Sequence, residues 1–185
     1  SITEKVERLI RELERKVKEI DDDLRRTSEE IMKRARKADE DSERLSERLR
    51  ELVDRLDREV RGKEKVKKVV DDIKREAKRI IEKTDELHEE TRRLVEENKR
   101  RIDELHKEIR ETVKEIEKRI DDDGVPRESA ERLKEELRRV LEENRETLER
   151  LREENERVLE ENKRRVDENR EKIKEVLRRV EERTR

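Results

Sequence analysis

Few residues in this chain could do chemistry, and they are spaced like parts of helices. The only two histidines lie in a repeated tetrapeptide: Asp85-Glu86-Leu87-His88 recurs as Asp103-Glu104-Leu105-His106. The separation is 106 − 88 = 18 residues, five turns at about 3.6 residues per turn, so both imidazoles point to one side of one helix. Histidine with aspartate invites two readings, a metal site and a catalytic relay. Five turns hold the rings about 27 Å apart, too far to share an ion. Each would need further ligands. Asp39 or Asp21 supplies one, but asparagine is a poor companion to the usual histidine, cysteine and carboxylate set. A relay lacks its nucleophile, because Ser42, the nearest serine by level, is about one turn from His88. No glycine-rich loop is present to hold an oxyanion or a phosphate. The expectation is no enzyme activity, no metal and no cofactor. His88 and His106 are then structural parts of a helical bundle.

The elements that position these residues are long helices. The chain has 185 residues, 62% of them charged and 26% apolar, and no aromatic residue. Such a composition commonly signals disorder. Here the net charge is only −2, so both signs are interleaved, and the apolar residues are strictly periodic. Glu, Lys, Arg and Leu fill most other positions, with two Gly and one Pro, as in long helices or coiled coils. Other classes drop out. Without cysteine there is no disulfide framework or thiolate. No run of about 18 apolar residues suggests a membrane span. Alternating charge offers no basic field for nucleic acid, and no ring is available for bases to stack on. No targeting signal is present, consistent with recombinant cytoplasmic expression.

The first apolar stripe runs Ile2, Val6, Leu9, Leu13, Val17, Ile20, Leu24, then Ile31, Ala35, Ala38, Leu45, Leu49, Leu52, Leu56 and Val60. With Ser28 and Ser42 as in-phase polar members, sixteen steps cover 60 − 2 = 58 residues. That is about 3.6 per step, against 3.5 for a supercoiled heptad, so the helices are expected to be nearly straight. Arg61-Gly62-Lys63 reads as a turn, because the next stripe is out of phase by about one residue, roughly 100° on a helical wheel. The second stripe runs from Val66 through Val69, Ile73, Ile80, Leu94, Ile102 and Ile109 to Ile120, with Thr84, Thr91 and Asn98 in phase. It stops at Asp121-Asp122-Asp123-Gly124-Val125-Pro126, where Gly124 suits a left-handed C-terminal position and Pro126 the start of a helix. The third stripe runs from Ala130 to Val180 with Asn144, Asn155, Asn162 and Asn169 in phase. The expected fold is all-α: a straight, antiparallel, up-down-up three-helix bundle with near-zero supercoil, a single unit over 1–185. Its helices are expected at about 2–60, 64–121 and 127–184, each about 58 residues and roughly 87 Å long.

Facing residues in an antiparallel pair have a constant index sum. His88 with Asn162 and His106 with Asn144 both give 250, matching a turn at Gly124. Asp39 with His88 and Asp21 with His106 both give 127, near the value set by Gly62. Four polar layers follow: Asp21/His106/Asn144, Ser28/Asn98/Asn155, Asp39/His88/Asn162 and Ser42/Thr84/Asn169. Matched in level, such groups can pair with one another and favour one helix register over its neighbours. Left unpaired, each costs about 1–3 kcal/mol.

The chain therefore resembles de novo designed helical bundles with buried hydrogen-bond networks. The likeness lies in the aromatic-free Leu/Ile/Val core, the Glu/Lys/Arg surface, the Gly124-Val125-Pro126 turn, and the Asn and His residues in or beside the stripe. Spectrin repeats are similar in outline, but they carry aromatic core residues and irregular helices. The expected role is a designed structural scaffold with no natural biochemical activity, its His, Asn, Ser and Thr layers setting helix register. The alternative is an interaction module forming a homo- or hetero-oligomeric bundle, pH-responsive through His88 and His106. Each helix carries one apolar row, widened only at doublets such as Leu9-Ile10, Leu52-Val53, Val140-Leu141 and Val176-Leu177. One row is enough for a three-helix core and leaves little for an obligate interface, so a monomer requiring no partner is expected over a self-associating bundle. A buried neutral histidine bonded to asparagine would lose stability below about pH 6.5, and one paired directly with aspartate would do the reverse.

Overall fold

The computed structural model describes residues 1–184; Arg185, the last residue of the expected single bundle, lies outside them. Three helices follow in order, α1 (Ile2–Glu59), α2 (Lys63–Asp122) and α3 (Arg127–Glu182), with no strand among the described residues. Local chemistry accounts for their ends. Ser1 Oγ accepts the Glu4 N–H at 3.3 Å, so one otherwise unpaired donor is satisfied, and the Glu4 carboxylate forms an exposed ion pair with the Ser1 amine at 3.8 Å. Gly62 and Gly124 have φ of +93° and +79°, left-handed values that L side chains rarely adopt, and both helices reverse there. No Ser, Thr, Asp or Asn caps α2. The Gly62 carbonyl instead accepts its first bond, from Val66 N–H at 3.0 Å. Pro126 stands one residue before α3 and accepts from Ala130 N–H at 2.8 Å, where its missing N–H leaves nothing unpaired.

The chain divides into two compact units. The first joins Ser1–Glu30 with Val95–Glu156, and the second joins Ile31–Leu94 with the stretch from Arg157 onward. In the first unit, Val6, Ile10, Leu13 and Val17 of α1 pack with Ile109, Val113, Ile116 and Ile120 of α2 and Leu133 and Leu137 of α3. A smaller cluster there holds Leu24, Ile102, Leu148 and Leu151. In the second unit, Leu49, Val53 and Leu56 pack with Val70, Ile73, Ala77 and Ile80 and with Ile173 and Val180. Every cluster takes residues from all three helices, which is the signature of a three-helix bundle.

Burial corrects the stripes at their doublets. Leu9, Leu52, Val69 and Leu94 are half-buried, and the residue after each, Ile10, Val53, Val70 and Val95, is buried. Successive residues differ by about 100° around a helix. A helix gripped by two neighbours buries a face wide enough to admit both, but only one points at the bundle axis.

Hydrogen bonds and ion pairs show the pairing of the helices. In the first unit Lys134–Asp121, Arg152–Asp103 and Lys99–Glu156 join α3 to α2. In the second unit Arg170–Asp85 and Lys74–Glu181 do the same. All five pairs have the index sum 255, the constant expected of antiparallel helices. Helices α1 and α3 instead keep a constant difference of 123 at Asp21–Asn144, Asp39–Asn162 and Ser46–Asn169, so they run parallel.

Candidate functional site

Among the described residues, the chemistry inside the units is that of the buried polar groups. In the first unit, Asn144 Nδ2 donates to Asp21 Oδ1 at 2.9 Å, and Asn144 Oδ1 faces His106 Nδ1 at 3.4 Å. In the second unit the same three residue types connect in the same order. Asn162 Nδ2 donates to Asp39 Oδ1 at 2.9 Å, and Asn162 Oδ1 meets His88 Nδ1 at 2.6 Å. The asparagines are buried, while the histidines and aspartates are half-buried. The order of bonds follows from donor inventory. An ionised carboxylate only accepts, so it turns the amide nitrogen towards itself. The amide oxygen then faces the ring, and Nδ1 must carry the proton. Asparagine thus stands between aspartate and histidine, and no direct His–Asp bond forms among the described residues.

In a third layer, Ser28 Oγ accepts from Asn155 Nδ2 at 3.2 Å and from Asn98 Nδ2 at 3.5 Å. Asn155 Nδ2 also donates to the Leu151 carbonyl at 2.6 Å, while Asn98 Oδ1 has no partner. Ser42, Thr84 and Asn169 are not joined. Asn169 Oδ1 accepts from Ser46, and Thr84 Oγ1 and Asn169 Nδ2 are buried without partners. The reason is register. The difference of 123 between α1 and α3 sets Ser46, rather than Ser42 one turn earlier, opposite Asn169.

Electrostatics separates the two aspartates from the other acids. Burial pushes both carboxyls above the ordinary 3.8; the Asn144 bond opposes this at Asp21, and Arg165 and then the Asn162 bond oppose it at Asp39. The Arg165 guanidinium lies 3.6 Å from Asp39, whose side chain is only 11% exposed. A folded-state value above the unfolded one means that the native protein holds protons the unfolded chain has released. The contribution is then full below the ordinary value of 3.8 and is lost as pH rises through the raised one. Relative to Asp21→Asn, the wild type is expected to lose stability over that window and then to hold a constant deficit. Denaturant midpoints of both proteins between about pH 3.5 and about pH 7 measure this. A difference independent of pH would contradict it.

Sequence reasoning missed Ser46, Arg165 and the α2–α3 ion-pair row. The signal for the row was available, since any Lys or Arg and acid summing to 255 on the two helices is a candidate. Among 114 charged residues, 56 basic and 58 acidic, many other sums occur by chance. No three His, Cys, Asp or Glu residues converge among the described residues in a way that could hold a metal ion. No described helix is long and apolar enough to cross a membrane.

No family model matches the chain, and no curated protein is similar to it in sequence. A solved structure described as "Computationally designed three helix bundle" is similar in fold, with a TM-score of 0.59 over 98% of this chain and 88% of that one, at 15% identity. At that identity the likeness is one of fold. The class is a three-helix bundle, here with hydrogen-bonded Asn, Ser and His side chains in its interior.

Proposed function

We propose that this chain is a designed structural scaffold without catalytic turnover, in which the polar layers fix the axial register of the helices. The observation that carries the reading is the double occurrence of one bonded chain, His–Asn–Asp, with one residue from each helix and 18 residues between the two copies. Apolar packing alone tolerates sliding by a turn, because one Leu or Val resembles the next. A buried amide does not, because sliding leaves it unpaired at about 1–3 kcal/mol.

A variant with Asn98, Asn144, Asn155 and Asn162 all replaced by leucine tests this. It is expected to stay helical and to resist denaturant less well than the wild type, because His88 and His106 lose their partners, and to show more than one set of amide resonances. A single sharp set would sink the register role. The absence of any large exposed apolar side chain among the described residues supports a monomer with no large apolar interface. Sedimentation equilibrium is expected to return about 22.9 kDa, the mass of one chain. Twice that mass would favour an oligomeric interaction module.

A further inference from the structure

The 18-residue repeat extends beyond the histidine layers and is broken at one place. On α1 it runs Asp21, Asp39, Asp57, and 126 residues later in each case come Thr147 and Arg165 on α3 and Arg183 just past its end. Two of the three aspartates hold their guanidinium. Arg165 Nη1 lies 3.6 Å from Asp39 Oδ2, and Arg183 Nε donates to Asp57 Oδ1 at 2.9 Å. Asp21 has Thr147 at that position, and no cation pairs with its carboxylate within 4 Å among the described residues. Its one hydrogen bond, from Asn144, occupies Oδ1 and leaves Oδ2 without a donor.

Space follows the missing side chain. The cleft between α1 and α3 at Asp21 has a volume of about 560 Å³, against about 60 Å³ and about 240 Å³ for the clefts that include Asp39 and Asp57. Val17, Val140 and Asn144 line it together with Asp21 and Thr147. The charged groups facing it are Glu14, Lys18, Asp22 and Arg25 from α1 and Glu136, Arg139 and Glu143 from α3. With Asp21 that makes five acids to three bases. Arg25, one turn along the same helix, draws the Asp21 carboxyl down from a distance but is itself exposed.

We propose that this cleft is a binding site for a small alkylguanidinium cation, whose planar group takes the place that the Arg165 and Arg183 side chains take beside their aspartates. The half-buried carboxylate supplies the acceptor, Val17 and Val140 supply an apolar wall for the alkyl group, and Thr147 leaves the room. A guanidinium fits better than an ammonium because its fork of N–H donors matches a carboxylate edge.

The test is a titration of 15N-labelled protein with N-methylguanidinium chloride, alongside sodium chloride and methylammonium chloride at matched concentrations. The expected result is a saturable shift, in the millimolar range, of the Asn144 side-chain amide and the backbone amides of 140–147. Asp21→Asn, which keeps the oxygen that accepts from Asn144, should abolish the saturation. Thr147→Arg, which fills the cleft from within, should weaken binding at least tenfold and raise the denaturation midpoint. Shifts that never saturate overturn the proposal. So does saturation undiminished in Asp21→Asn, or an equal response to methylammonium.

Discussion

Truncating Ile10 to alanine is expected to cost about 2–5 kcal/mol, the range for removing a large buried aliphatic side chain. The same change at its neighbour Leu9 should cost only about 1 kcal/mol, the part of the transfer energy that a half-buried side chain gains. Ile10 is 1% exposed and belongs to the cluster with Ile109, Val113 and Leu137, while Leu9 only flanks that cluster. Removing Ile10 leaves a cavity whose walls come from three helices and cannot close it without moving backbone. Removing Leu9 opens space that water can enter. Both changes put a good helix former at neighbouring positions inside α1, so propensity does not confuse the comparison. Urea midpoints at unchanged slope would measure the difference. Equal losses at the two positions would mean that the doublet shares the core evenly.

The second large effect is expected at Asn162. Its side chain joins His88 Nδ1 to Asp39 Oδ1, so Asn162→Leu removes two hydrogen bonds and leaves a donor and an acceptor behind. The expected loss is about 1–3 kcal/mol. Leucine keeps the same branched skeleton but is bulkier, so packing strain at this buried position adds to it. Adding His88→Leu should recover most of the loss, because the orphaned ring disappears and Asp39 keeps Arg165 beside it. The pair is informative because its sign is unusual: the double variant is expected to be more stable than the single. Chemical denaturation of the two proteins decides it. A double variant less stable than the single would show that His88 is held by something other than Asn162.

Half-burial limits the size of this effect. His88 and Asp39 both reach solvent, so water takes up part of what Asn162 gives up. The equivalent change at Asn144 should be milder, because its contact to His106 is longer, 3.4 Å against 2.6 Å. The ion-pair row between α2 and α3 is expected to contribute little to stability pair by pair, about 0–1 kcal/mol each for exposed charges. It bears instead on register, since a shift to the sum 252 would set Asp121 against Glu131, Asp103 against Glu149, Asp85 against Asp167 and Lys74 against Arg178.

The all-α class and the count of three helices were legible in the sequence, because a period of 3.6 survives any tertiary arrangement and the breaks at Gly62 and Gly124 are local chemistry. The phase of Ser28, Asn98, Asn144, Asn155 and Asn162 was legible for the same reason, since phase is a property of one helix by itself. Partners are not. Ser46 rather than Ser42 meets Asn169 because the offset between α1 and α3 is set by how their side chains interdigitate, and no single helix carries that information. Within each doublet, rotation about the helix axis chose the core residue, and that rotation is fixed only when two other helices grip the third. The aspartates show the division most plainly. Their spacing of 18 stands in the sequence. That asparagine comes between each of two of them and a histidine, while the cleft beside Asp21 stays open, was decided when α1, α2 and α3 packed.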